Sequence, residues 1–141
     1  MDPTILLVED NPDDAELTIL ALRKSGITAH VVQAHDGVEA IDYLIGGEET
    51  QEPLGLELPR FILMDLKLPR IDGLSVLRRL RAHARTQAIP IVILSTSEQQ
   101  TDKSEAYRLG ANSYVLKSVD IKRFNEAMRI LSQYWITVNV A

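Results

Sequence analysis

The chain contains no cysteine, which excludes disulfides, thiolate metal sites and a cysteine nucleophile, and nothing points to an oxidising compartment. Histidine is scarce. His30, His35 and His83 stand apart without metal-ligand spacing, and each reads as a surface residue. No apolar stretch approaches the length of a membrane span, and Met1-Asp2-Pro3 brings no basic region or cleavage site ahead of the first apolar run. A cytoplasmic protein with no membrane partner is the expectation. Excess positive charge is also lacking: the formal net charge is −5, which gives no electrostatic reason to expect nucleic-acid binding. There is no internal repeat and no low-complexity tract. What is present, 141 residues of which 45% are hydrophobic and 25% charged, suits a single domain over 1–141 with a sizeable core.

Short apolar runs alternate with helical patterns. Thr4 to Val8, Val31 to Ala34, Phe61 to Met64, Ile89 to Leu94 and Tyr114 to Leu116 each read as a buried strand. The first helix is marked by Pro12 at its start, the acids Asp13, Asp14 and Glu16, then Arg23, Lys24 and a terminating Gly26. Asp36-Gly37-Val38-Glu39 predicts a capping box for a second helix, ending at Gly46-Gly47, with Val38, Ile41 and Leu44 or Ile45 toward the sheet. A third begins at Asp72-Gly73 with Leu74, Leu77 and Leu80 inward and Arg78, Arg79, Arg81 and Arg85 on a solvated face. A polar fourth helix covers about Gln99 to Leu109, and a fifth starts at Ile121 with an apolar stripe of Phe124, Met128, Leu131, Trp135 and Val138. Gly47 to Pro59 reads as an exposed loop. Strand and helix in alternation imply right-handed crossovers and a parallel sheet covered on both faces. The expected fold is an α/β, flavodoxin-like, doubly wound five-stranded sheet of order 2-1-3-4-5 with five helices.

In such a sheet the chemistry gathers just past the carboxyl ends of the strands. Those positions hold Glu9-Asp10, Asp65, Ser95-Thr96 and Lys117. Three converging carboxylates repel one another unless a cation neutralises them. With oxygen donors only, a hard divalent ion fits, and Mg²⁺ suits a site that also handles a phosphoryl group, so Glu9, Asp10 and Asp65 are its expected side-chain ligands. Alternation along the fourth strand favours Ser95 over Thr96 as the site hydroxyl. Asp13 and Asp14 read as first-turn helix acids.

The fragments Val8-Glu9-Asp10-Asn11, Met64 to Gly73 (MDLKLPRIDG), Leu94-Ser95-Thr96-Ser97 and Tyr114-Val115-Leu116-Lys117 together resemble the receiver domains of two-component response regulators. The loop before strand three, Lys117-Ser118 and the Tyr134-Trp135 ending resemble, more narrowly, the regulators that work with phytochrome histidine kinases. The resemblance implies that Asp65 takes a phosphoryl group from a kinase phosphohistidine, making the chain a phosphoacceptor rather than an enzyme, beyond possible self-dephosphorylation. It implies that the Lys67 carbonyl completes the metal ligands, that Lys117 and Ser95 contact the phosphoryl group, and that Tyr114 is the aromatic switch residue moving in after Ser95. Lys67 and Ser97, two positions beyond site residues, are expected to tune hydrolysis. With no output domain in the sequence, action through partner binding or phosphate shuttling is expected, and the helix 4–strand 5–helix 5 face is the candidate surface for a homodimer.

Two positions depart from the family pattern. Ser118 stands where receivers commonly have a proline joined by a cis peptide, and a non-proline cis bond costs about 3 kcal/mol. Ser95 replaces the commoner threonine, keeping the hydroxyl and losing a methyl. Among competing readings, an aspartyl phosphatase wants Asp-x-Asp after strand one, and a nucleotide-binding module wants a glycine-rich loop there. Glu9-Asp10-Asn11-Pro12 is neither. A phosphate-independent docking platform is disfavoured because every site residue is present.

Overall fold

Five strands, β1 (Thr4–Val8), β2 (His30–Ala34), β3 (Phe61–Asp65), β4 (Ile91–Ser95) and β5 (Ser113–Leu116), pair in parallel in the order β2-β1-β3-β4-β5. The computed structural model describes residues 2–47, 51–55, 57–117 and 120–141. Helices α1 (Pro12–Lys24), α2 (Gly37–Leu44), α3 (Gly73–Ala82), α4 (Gln100–Arg108) and α5 (Ile121–Ser132) fill the crossovers, and a π turn, Gln133–Val138, extends α5. This is the expected flavodoxin-like arrangement. Among the described residues no helix is long and apolar enough to cross a membrane.

The period of two along each strand divides the core into two layers. Leu6, Val8, Ile62, Met64, Ile91 and Ile93 face α2 and α3, against Ala40, Ile41, Leu44, Val76, Leu77 and Leu80. Ile5, Leu7, Phe61, Leu63, Val92 and Leu94 face α1 and α5, against Ala15, Leu22, Phe124 and Met128. Each buried aliphatic side chain of this kind contributes about 1.5–3 kcal/mol. The same parity carries past the last paired residues and decides where the site side chains point.

Helix starts are set by side-chain oxygens. Asn11, Asp36, Asp72 and Asp120 each accept the backbone N–H three residues on, at the head of α1, α2, α3 and α5. Gln99, ahead of α4, makes no such bond. The expected capping box at α2 is half realised: Glu39 accepts from the His35 N–H instead of reaching back to Asp36.

Several packing expectations are corrected. Val38 is only half-buried and Ala40 takes the inward position, because the buried face of α2 runs through Gly37, Ala40, Ile41 and Leu44. Leu74 is half-buried at the layer's edge, with Val76 buried in its place. Arg81 does not belong to the solvated face. Its guanidinium donates to the carbonyls of Ile89 at 2.7 Å, Gly110 at 3.0 Å and Gln87 at 3.1 Å and to Asn112 Oδ1 at 2.9 Å, tying the end of α3 to the turns before β4 and β5. Arg85, although exposed, donates to the Leu44 carbonyl.

Val138 leaves the stripe and is 64% exposed, because the π turn widens the repeat and presents Trp135 and Ile136 to the core instead. In the loop before β3, Gly55 and Pro59 are buried, with the Leu54 and Gly55 N–H groups on the Asp42 and Tyr43 carbonyls, so this part docks on α2 rather than standing free. β4 starts at Ile91, after Pro90, which has no N–H to give the ladder.

Candidate functional site

Glu9, Asp65 and Lys117 share the strand parity that faces α1, so their side chains meet above the carboxyl edge of β1, β3 and β5. The Lys117 ammonium lies 2.8 Å from Asp65 Oδ2, pairs with Glu9 Oε1, and lies 3.0 Å from Asp14 Oδ2. Asp65 ends β3 half-buried, and its second oxygen accepts the Lys67 N–H at 3.3 Å. Glu9 is buried, its second oxygen accepts the Asn11 N–H at 3.3 Å, and its carbonyl takes the Gln33 side-chain amide at 3.1 Å. Asp10 is exposed at the rim. One ligand oxygen from each of Glu9, Asp10 and Asp65 falls within 4.8 Å of the others. This all-oxygen set, converging at one point, fits a hard divalent cation.

The electrostatics follow from burial. Loss of water raises the Glu9 carboxyl above its ordinary range, and the lysine beside it restores only part of that cost. Burial also works against the Lys117 charge, but hydrogen bonds to Asp65, Glu9 and Asp14 outweigh it and hold the ammonium above its usual value. The lysine is thus a fixed cation, and removing it would leave an uncompensated buried carboxylate.

Strand β4 has the opposite parity at its end. Ser95 is buried on the α3–α4 side, and its Oγ accepts the Ser97 N–H at 3.0 Å, while Thr96 is exposed, as alternation indicated. Tyr114, half-buried on the same side, donates its hydroxyl to the Ser97 carbonyl at 2.9 Å. The Ser97 hydroxyl turns to Asp102 in the first turn of α4, at 2.5 Å. The Lys67 side chain is exposed.

The loop after Asp65 is tightly held. Gly73 N–H donates to the Leu66 carbonyl at 2.8 Å, and a Cβ on Gly73 would lie 2.4 Å from the Asp65 carbonyl oxygen. Within the loop Arg70 adopts a left-handed backbone, φ 69°, and its guanidinium reaches Asp36 at the cap of α2. The structure therefore gathers Glu9, Asp10, Asp65, Lys117 and Ser95 at one sheet edge, with Tyr114 and Ser97 beside them. Asp14 and Asp102 join them unforeseen. The signal for Asp14 was its place one helical turn after Asp10; for Asp102, no local signal exists. The Lys117-Ser118 peptide lies outside the described residues.

Residues 5–129 match the model of the response regulator receiver domain. The chain belongs to this family. FilR2 of Methanothrix harundinacea, named a probable methanogenesis regulatory protein, is 37% identical over 135 residues, covering 96% of this chain and 84% of its own. The response regulator Rcp1 of Synechocystis sp. is 33% identical, covering 94% of this chain and 88% of its own. The crystal structure of the Mn²⁺-bound form of Rcp1 aligns with a TM-score of 0.85 at 30% identity, over 98% of this receiver and 96% of that chain. The phosphorylated cyanobacterial phytochrome response regulator RcpA aligns with a TM-score of 0.88 at 33% identity, over 99% and 98% of the two chains. This receiver thus resembles phytochrome response regulators along nearly its whole length.

Proposed function

We propose that Asp65 accepts a phosphoryl group from the phosphohistidine of a histidine kinase, of phytochrome type, and that the aspartyl phosphate is the signal. The observation that carries this is the Lys117 ammonium 2.8 Å from Asp65 Oδ2, beside two further carboxylates at the same sheet edge. An ionised carboxylate needs no general base to attack phosphorus. The P–N bond breaks as the P–O bond forms, and the imidazole leaves with the electron pair and takes up a proton. Phosphoryl transfer is driven by positioning and charge stabilisation, and Lys117 supplies a fixed cation for both.

Glu9, Asp10, Asp65 and the Lys67 carbonyl would hold Mg²⁺, whose chemistry is to neutralise charge on the phosphoryl oxygens. Mn²⁺ in the Rcp1 structure supports a divalent ion here. Ser95, whose Oγ accepts from Ser97, keeps its own proton free for a phosphoryl oxygen. Tyr114 then reads the position of the loop, Lys67 flanks the approach of hydrolytic water, and Ser97 bears on hydrolysis through the loop it holds.

The same reading gives the exposed apolar residues a use. Tyr107 on α4, Ile130 on α5 and Tyr134 in the π turn are 51%, 53% and 46% exposed, and would join two copies through the α4–β5–α5 face. Sedimentation of the phosphorylated protein, with Ile130→Asp as control, tests this; a monomer at every concentration removes it.

The main test is incubation with Mg²⁺ and acetyl phosphate followed by intact mass. One added phosphoryl group on the wild type, labile to hydroxylamine and missing from Asp65→Asn, is the expected result. An equal gain in Asp65→Asn places the acceptor elsewhere.

A further inference from the structure

Ser97 has all three of its polar groups engaged, each by a different element. Its N–H donates to Ser95 Oγ at the end of β4, at 3.0 Å. Its carbonyl accepts the Tyr114 hydroxyl from β5, at 2.9 Å. Its own hydroxyl donates to Asp102 Oδ2 in the first turn of α4, at 2.5 Å, and accepts the Gln99 N–H at 3.3 Å. The phosphate-contacting hydroxyl, the aromatic switch residue and helix α4 therefore converge on one residue that itself touches neither Asp65 nor Lys117 within hydrogen-bond distance among the described residues.

We infer that Asp102 is a positioning residue of the phosphorylation switch, acting through Ser97 as a latch between helix α4 and the β4–α4 loop. A hydrogen bond to a carboxylate is among the stronger bonds in a protein, and α4 lacks the side-chain cap the other four helices have, so this bond fixes where the loop meets the helix. With the loop fixed, the Ser97 N–H occupies one lone pair of Ser95 Oγ and aims the serine proton outward, toward the phosphoryl position. The Tyr114 hydroxyl is held on the Ser97 carbonyl by the same anchor. Losing the carboxylate frees all three groups together.

The inference rests on Asp65 being the phosphoacceptor, and the experiment separates the two. The lifetime of the Asp65 phosphoryl group and the ring resonances of Tyr114 in the unphosphorylated protein are measured for wild type, Asp102→Ala, Asp102→Asn, Ser97→Ala and the Asp102→Ala/Ser97→Ala double variant. Asp102→Ala is expected to shorten the lifetime at least threefold and to shift the Tyr114 resonances. Ser97→Ala should do the same, the double variant should add nothing, and Asp102→Asn, which keeps an acceptor, should recover most of both readouts. A lifetime unchanged in Asp102→Ala overturns the latch, whether or not the urea midpoint falls, as does an effect of Ser97→Ala alone, which would mean that its hydroxyl acts on the phosphoryl group directly. Additive single effects overturn it too. Should the wild type take up no phosphoryl group, the proposed function fails, and the Tyr114 resonances alone decide the latch.

Discussion

Lys117 and Asp14, 103 positions apart in the chain, form a 3.0 Å ion pair that draws the site lysine toward the first turn of α1. The lysine side chain is 10% exposed and the Asp14 side chain 40%, so Asp14 is the most solvated of the ammonium's three carboxylate partners. Under the proposed function a phosphoryl group on Asp65 would need the same ammonium, and Asp14 would compete for it. Asp14→Asn keeps the shape and removes the charge. Because a partly exposed pair contributes about 0.2–1 kcal/mol, the phosphoryl lifetime should lengthen by about 1.4- to fivefold. Following loss of the phosphorylated mass with time checks this; a shorter lifetime would show that Asp14 holds the lysine in place rather than away.

Glu9 gives the site a pH signature. Burial raises its folded pKa above the ordinary 4.5, with the neighbouring lysine pulling it partly back. A group whose folded value is raised adds stability that is complete below its unfolded value and lost as pH rises through its folded value. Glu9→Gln does not titrate there. The stability of wild type relative to Glu9→Gln should therefore decline as pH climbs from 4.5 through the raised value. Urea midpoints of both proteins across this window read the difference directly, and a gap that moves the other way would mean that Lys117 dominates burial.

Arg70 holds φ 69° in the loop after Asp65. A side chain in that region costs about 1–2 kcal/mol, which glycine avoids, although glycine gives up about 0.4–1 kcal/mol to unfolded-state entropy. The exposed pair with Asp36 at 3.4 Å returns only a few tenths to the arginine. Arg70→Gly should then match wild type to within about 0.5 kcal/mol, while Arg70→Ala, with the strain and without the pair, should fall about 0.5–1 kcal/mol below Arg70→Gly. Chemical denaturation of the three proteins tests the order.

Much of the site was legible because strands have a period of two. Counting from the apolar runs puts Glu9, Asp65 and Lys117 on one face and Ser95 and Tyr114 on the other, and the side chains meet that way. What the count does not contain is the height of a helix over the sheet. Asp14 is an ordinary first-turn acid until α1 lies across the edge of β1 and β3, and Arg81 looks like one of four solvated arginines until the turns before β4 and β5 present their carbonyls to it. Val138 was misplaced for a similar reason: a stripe in steps of three and four assumes a continuous α-helix, and the repeat widens at Gln133.

Gly73 shows two local rules giving opposite answers, with magnitude deciding. As the first residue of α3, it should be improved by alanine, which is favoured in helices by up to about 1 kcal/mol. Yet a Cβ there would stand 2.4 Å from the Asp65 carbonyl oxygen and 2.7 Å from Leu66 Cα. Both are backbone atoms of β3 and its exit, fixed by the β3–β4 ladder and by the Gly73 N–H bond to Leu66, so neither can swing aside as a flexible side chain would. Relief requires α3 and the end of β3 to part, a strain of about 1–3 kcal/mol that exceeds the helix gain. Because the displaced backbone carries Asp65 itself, the cost should appear twice: a lower urea midpoint, and phosphoryl uptake from acetyl phosphate slowed by on the order of tenfold, since sub-ångström misplacement of a reacting group is enough for that. A Gly73→Ala protein that is as stable as wild type and takes up phosphoryl at the same rate would mean that helix and strand are not in the close contact that seats Asp65.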